Sequence, residues 1–389
     1  MSTRKLHRLF LFALLLTSCA SPFGAIPPDA LVLVNGTLID GTGAGPIRDA
    51  VLVIRGDRIL AVGPKEEIKI PRGTDVIDLG GATILPGFIN AHVHFAFDEE
   101  KLKAWAYGGV TTVRDEGIVS SKPLDSLIKL HKEASYNPEY ARLISAGYMM
   151  TVQGGYGELF VTSPEDARQQ VFRELDAGAD LIKISMEDGY AGRSGLPKLT
   201  DEEIAAIISA AHERETLVSG HVTQAEYLKI LVDAGVDDIA HVPYDVVSDD
   251  IWQKMVSKDI YMTPTFTVYR NYHAPIATCV LNLRNFVEQG GQVALGNDYG
   301  GGPSEFELGI PMYEIEQMSE AGMTPMQIVI ASTKNAAIVS GIEDQVGTLE
   351  AGRIADVLVV GGDPLQDLKN LTNIRMVIHN GTIIRDEID

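Results

Sequence analysis

Cysteine is almost absent from this chain. Two in 389 residues, Cys19 and Cys279, rule out a disulfide-stapled scaffold, so stability has to come from a packed core. Positive charge is scarce as well: 32 Lys and Arg stand against 53 Asp and Glu, a formal charge of −21. A surface of that sign repels nucleic acid and anionic lipid, which excludes a nucleic-acid partner. There is no tandem repeat or low-complexity tract, and a composition 45% hydrophobic and 22% charged excludes disorder. It allows a large core and two domains.

The chain opens with Arg4, Lys5 and Arg8, then the apolar run Leu9 to Leu16, then Leu16-Thr17-Ser18-Cys19. That run falls short of the roughly 20 residues a membrane-spanning helix needs, so it reads as an export signal. Leu-Thr-Ser-Cys is similar to a bacterial lipoprotein box. The expectation is a lipoprotein-type signal peptide over residues 1–19, with Cys19 as the lipidated first residue of a periplasmic or cell-surface protein. A conventional cleavage nearby is the alternative. Any membrane contact would then run through the lipid anchor alone.

Two patterns divide the rest. Strand-like segments at 30–38, 50–55, 58–62 and 75–78 are separated by turn residues such as Gly56-Asp57 and Pro71-Arg72-Gly73. A matching set follows at 356–360 and 376–384, with a turn at Asn380-Gly381. The two ends are expected to build one composite β-sandwich from residues 20–80 and 345–389. Between them, residues 81–344 alternate short apolar strands with helical stretches, the pattern of βα units around a parallel sheet. Strands are expected at 84–94, 111–114, 143–146, 181–185, 217–221, 238–241, 261–265 and 293–297. Eight over this length predict an α/β fold, a (β/α)8 TIM barrel. Ser163-Pro164-Glu165-Asp166 and Thr200-Asp201-Glu202-Glu203 read as starts of connecting helices over 163–177 and 200–215.

The chemistry gathers at strand ends. His92 and His94 lie two apart on a strand, so both imidazoles face one side while Val93 turns away. That is a metal pincer, suited to zinc, iron, nickel or copper. His221 and His241 also fall at strand ends, which in a TIM barrel converge on the catalytic face. Lys183 sits inside the apolar strand Leu181 to Ser185, and Asp298 ends the eighth strand. Lys183 reads either as a buried ion pair with Asp188 or Glu187, or as a lysine carboxylated by carbon dioxide. The carbamate would be an anion able to bridge two metals about 3.5 to 4 Å apart. Asp298 reads either as a helix cap or as part of the same centre. The remaining histidines at 7, 131, 212 and 379 are expected in solvated or packed roles. Tyr156, Arg270, His273 and Tyr299 lie on loops after strands and are the candidate substrate contacts, Arg270 for a substrate carboxylate.

Three stretches taken together, Leu85-Pro86-Gly87-Phe88-Ile89-Asn90-Ala91-His92-Val93-His94, Gly108-Gly109-Val110-Thr111-Thr112-Val113-Arg114-Asp115 and Gly347-Thr348-Leu349-Glu350-Ala351-Gly352-Arg353-Ile354-Ala355-Asp356, resemble the amidohydrolase superfamily. The imidazolonepropionase-like and prolidase-like branch is nearest. The resemblance implies two divalent metal ions, with zinc expected: His92, His94 and Asp298 at the more buried one, His221 and His241 at the second, and Lys183, as N6-carboxylysine, bridging both. It implies hydrolysis of a carbon–nitrogen bond in a small amide, cyclic amides included, by a metal-bridged hydroxide with Asp298 as proton shuttle. Three other readings stay open: an Xaa-Pro-type dipeptidase or carboxypeptidase, a mononuclear deaminase or imidazolone-type hydrolase, and an inactive surface binding protein. Assembly as a homo-oligomer is open too. Two positions depart from the pattern. Asn297 replaces the usual threonine of Gly-Thr-Asp, and Val242-Pro243-Tyr244-Asp245 follows His241 in place of a small residue. Both bear on the substrate pocket.

Overall fold

A computed structural model describes residues 26–120, 122–189, 193–271, 274–300 and 308–388. The proposed leader, Cys19 and His273 lie outside the described residues. Strands β1 (Leu31–Leu38), β2 (Ile47–Arg55), β3 (Arg58–Pro64), β4 (Val76–Asp78) and β5 (Thr83–Pro86) open the chain. They alternate or bury their apolar residues as period-2 sequence demands. In β1 and β2, Leu33 and Leu52 enter one core layer and Val32, Val34, Val51 and Val53 the other.

Next come β6 (Phe88–Val93), β7 (Val110–Asp115), β8 (Arg142–Ser145), β9 (Met150–Val152) and β10 (Leu159–Val161). They are followed by β11 (Ile182–Met186), β12 (Val218–Val222), β13 (Asp238–Ala240) and β14 (Tyr261–Thr263). The C-terminal strands are β15 (Val357–Val360), β16 (Ile374–His379) and β17 (Thr382–Asp386). β15 pairs antiparallel with β5, so the strands of the two chain ends share one eight-stranded sheet in the order β17-β16-β15-β5-β1-β2-β3, with β4 on β1.

The middle of the chain forms two parallel sheets, β6-β7-β8 and β10-β9-β11-β12-β13-β14. Residues 292–298 run between their edges. Met262 N donates to Gln292 O at 3.0 Å and Ala294 N to Met262 O at 2.9 Å, while Ala91 N donates to Leu295 O at 2.7 Å and Asp298 N to His92 O at 2.8 Å. Helices pack outside. Ser163 caps the helix Pro164–Ala177, which ends on left-handed Gly178, and Thr200 with Glu203 forms a capping box on the helix Asp201–Glu213. The result is a TIM-barrel-like α/β fold.

Two expectations need correcting. The expected strand 84–94 is two strands, β5 in the terminal sheet and β6 in the central one. They break at Gly87, where a Cβ would stand 2.3 Å from the Thr111 hydroxyl oxygen. The expected strand 293–297 makes only an isolated bridge at Val293, and its neighbour Tyr299 another to Val93. It passes close beneath the site: a Cβ on Gly296 would lie 2.7 Å from that of His92.

Candidate metal centre and substrate cavity

β6 brings His92 and His94 to one face and the 292–298 segment brings Asp298 against them. Asp298 Oδ1 lies 3.5 Å from His92 Nε2 and 3.3 Å from His94 Nε2. The three could share one ion. His92 is buried, yet neither of its ring nitrogens has a hydrogen-bond partner, an expensive orphan unless a ligand takes the lone pair. The second pair is adjacent: His241 Nε2 lies 2.8 Å from His221 Nδ1, and the His92 and His241 rings are 4.9 Å apart. Their outer nitrogens are occupied, His241 Nδ1 by the Thr265 hydroxyl at 2.7 Å and His221 Nε2 by Glu187 at 3.1 Å. Such partners fix ring orientation and leave the inner nitrogens for an ion. Burial, and then the nearby Lys183 cation, hold His92 well below the usual imidazole range. Burial and His221 do the same to His241, and burial lowers His221. The rings are therefore neutral, the form that ligates metal. The donor set fits the group the sequence implied.

Three residues of the site hold left-handed backbone: His241 at φ 76°, Thr265 at 58° and Asp298 at 53°. Non-glycine residues rarely do so unless the surroundings over-determine them, and such positions gather at functional sites. Glu314 supplies part of that constraint. Its buried carboxylate accepts from Phe266 N and Thr267 N, each at 2.9 Å, and from the Thr267 hydroxyl at 2.8 Å.

Lys183 is buried one layer below. Its ammonium pairs with Glu116 rather than with Asp188 or Glu187, and lies 3.4 Å from the Ser219 hydroxyl. Asp188 is instead bound by Lys198, and Glu187 by His221. Glu116 is also 2.8 Å from Arg114 Nε, and Arg114 reaches Asp238 at 2.5 Å. Burial lowers the Lys183 pKa, with Glu116 opposing it. Sequence reasoning missed Glu116, Thr265 and Glu314, and named Glu187 only as a partner for Lys183, whereas it meets His221. For Glu116 there was a signal, three charged residues in a row at the end of an apolar strand.

A cavity of about 780 Å³ opens over the site, bounded by His94, His221, His241, Asp298, Tyr156 and Glu158 among others. That is room for a small organic molecule of dipeptide size. Tyr156 lies at the cavity with its ring 4.8 Å from that of His221. Tyr299 is buried against Trp105, rings 5.2 Å apart, and does not bound the cavity. Arg270 is exposed with its guanidinium 5.1 Å from the Tyr313 ring. Of the two unusual positions, Asn297 Oδ1 accepts from Asn90 Nδ2 at 2.8 Å, and Tyr244 joins the cavity wall. His131 and His212 pair with Asp180 and Asp237, and His379 contacts the Pro138 carbonyl, all away from the site.

Comparison with known proteins agrees with this geometry. The Amidohydrolase family model matches residues 83–384. Ochratoxinase of Aspergillus niger is 24% identical over 418 residues, covering 90% of this chain and 84% of that protein. Imidazolonepropionase of Symbiobacterium thermophilum is 25% identical over 395 residues, covering 86% and 91%. Among solved structures, a Xaa-Pro dipeptidase with methionine bound in its active site superposes with a TM-score of 0.79 at 25% identity, over 92% of this chain and all (100%) of that one. The match spans the central sheets, the site and most of the C-terminal strands, so the chain belongs to the amidohydrolase family and is an enzyme that hydrolyses carbon–nitrogen bonds.

Proposed function

We propose that this enzyme is a binuclear, metal-dependent amidase acting on a small amide or dipeptide, within a closed (β/α)8 barrel whose eighth strand is the 292–298 segment. The observation that carries the reading is His92, buried with both ring nitrogens unpartnered beside His94 and Asp298. His92, His94 and Asp298 would hold one divalent ion, His221 and His241 the other, and zinc suits the set. Lys183, as its carbamate, would bridge them. Its burial favours the neutral amine, the form that takes up carbon dioxide.

Ions held there would acidify a shared water and polarise the substrate carbonyl. Asp298, on the cavity side of the imidazoles, accepts the proton of the attacking water and returns it to the leaving nitrogen. Glu187 and Thr265 keep His221 and His241 in the orientation that faces the centre. Tyr156, Tyr244 and Tyr269 give the cavity an aromatic wall beside the centre. Similarity to a Xaa-Pro dipeptidase favours peptides among the candidate amides. Export with a lipid anchor at Cys19, and a β-sandwich domain built from residues 20–80 and 345–389, are parts of the same reading.

The test is a panel of N-acyl amino acids, dipeptides and cyclic amides, assayed with metal-loaded and chelated protein. Hydrolysis that chelation abolishes and divalent metal restores supports the proposal. Turnover that survives complete metal removal, or a loaded protein inert to every amide, overturns it.

A further inference from the structure

Glu314 is fully buried on the helix Met312–Glu320 and does not bound the cavity. Both of its oxygens serve one short stretch of chain. Oε1 accepts from Phe266 N and Oε2 from Thr267 N, each at 2.9 Å, and Oε2 also accepts from the Thr267 hydroxyl at 2.8 Å. These two amides open the helix Phe266–Asn271, where no carbonyl of the same helix can reach them. Phe266 and Thr267 are themselves buried, so removing the carboxylate would strip two buried donors of their acceptor.

Immediately before them stands Thr265, a β-branched residue at φ 58°, a conformation such residues avoid unless the surroundings impose it. The chain is held on both sides of it. The Pro264 carbonyl accepts from Val242 N at 3.1 Å, and Glu314 takes the amides that follow. Held in this way, Thr265 presents its hydroxyl to His241 Nδ1 at 2.7 Å. A hydroxyl can donate or accept, so it suits this ring with or without an ion on Nε2. A second acceptor is near, because Asp298 Oδ2 lies 3.9 Å from the same nitrogen. A ring released by Thr265 would be free to turn toward the proton shuttle.

We infer that Glu314 is a positioning residue for the second ion: it holds the two amides after Thr265, and Thr265 in turn holds His241. The inference rests on the binuclear reading above and adds to it a side chain remote from the cavity. Glutamine cannot replace it, because a carboxamide turns an N–H toward one of the donors that the carboxylate accepts. The test is a double-mutant cycle on ion affinity, with the metal-loaded full chain titrated by chelator. It is run at about pH 8, where the Glu314 carboxyl, pushed up to about 7 by burial, is ionised. In Glu314→Gln and in Thr265→Val the second ion should be held about 10- to 100-fold less tightly, with the first ion held as before. Thr265→Ser, which keeps the hydroxyl, should stay near the parent. Because the two residues act in series, the doubly substituted chain should bind the second ion no worse than Thr265→Val alone.

Additive losses in the double variant, an equal weakening of both ions, or an unchanged second ion in Glu314→Gln overturns the inference. Should Glu314→Gln not fold, Thr267→Val, which removes one of the three donors on the carboxylate, takes its place in the cycle with the same outcomes. If the parent chain takes up only one ion, it is the binuclear reading that fails, and the link is read on metal-free protein by NMR of the His241 ring nitrogens. A shift in Glu314→Gln that matches the one in Thr265→Val then supports the assignment, and ring resonances unmoved in Glu314→Gln overturn it.

Discussion

Replacing Asp298 by Asn separates holding the centre from moving protons. Asp298 sits at φ 53°, a region that Asn tolerates better than most residues, and its backbone N–H is tied to His92 O at 2.8 Å. The backbone should therefore stay in place. The carbonyl oxygen of Asn can still occupy the position of Oδ1, which lies 3.3 and 3.5 Å from the two histidine nitrogens, so much of the metal should remain. What disappears is the group that takes a proton and gives it back. Positioned acid–base groups contribute about 10²- to 10⁴-fold, so kcat should fall about a thousandfold, near 4 kcal/mol in the barrier. Because the interaction matters only as the water's proton moves, kcat and kcat/KM should fall together. The assay is steady-state kinetics beside elemental analysis of the same preparation. An Asp298→Asn protein that keeps its metal and turns over within tenfold of the parent would refute the shuttle.

Lys183→Ala should lose one metal or both, read by elemental analysis. An unchanged metal count would dispose of the bridge. Glu187→Gln weakens the orientation of His221, so affinity at the second ion should drop about 10- to 100-fold in a chelator competition, with the first ion held as before. Burial pushes the Glu314 carboxyl up to about 7 from the usual 4.5. The native chain then keeps a proton that the unfolded chain releases, so stability should decline as pH rises from about 4.5 to 7, by up to about 3 kcal/mol from this group. Urea midpoints across that window should fall in the parent relative to Glu314→Gln; parallel profiles would refute the assignment.

Much of this site was legible because strand chemistry is local. His92-x-His94 shares a face by the two-residue period, and His221 and Asp298 were located by asking where apolar runs stop. The helix starts at Ser163 and Thr200 were equally local, since the capping side chain and its partner are three residues apart. The network around the imidazoles was not. Glu116 meets Lys183 across 67 positions and Glu314 meets Phe266 across 48, and no period or spacing encodes such meetings. Arg270 was expected on a loop; it lies in the last turn of the helix Phe266–Asn271, with its guanidinium 5.1 Å from the Tyr313 ring, and a contact between distant positions of that kind has no local signal. The eighth strand was located but not its irregularity, which follows from Gly296 slipping past His92 and Thr263 with no room for a side chain.

The most direct test of the whole account is the metal content of the purified enzyme against its activity. Two divalent ions per chain, with amide hydrolysis lost on chelation and recovered on adding metal back, is the result expected. A chain that binds no stoichiometric metal under any loading condition, yet still cleaves an amide, would contradict it.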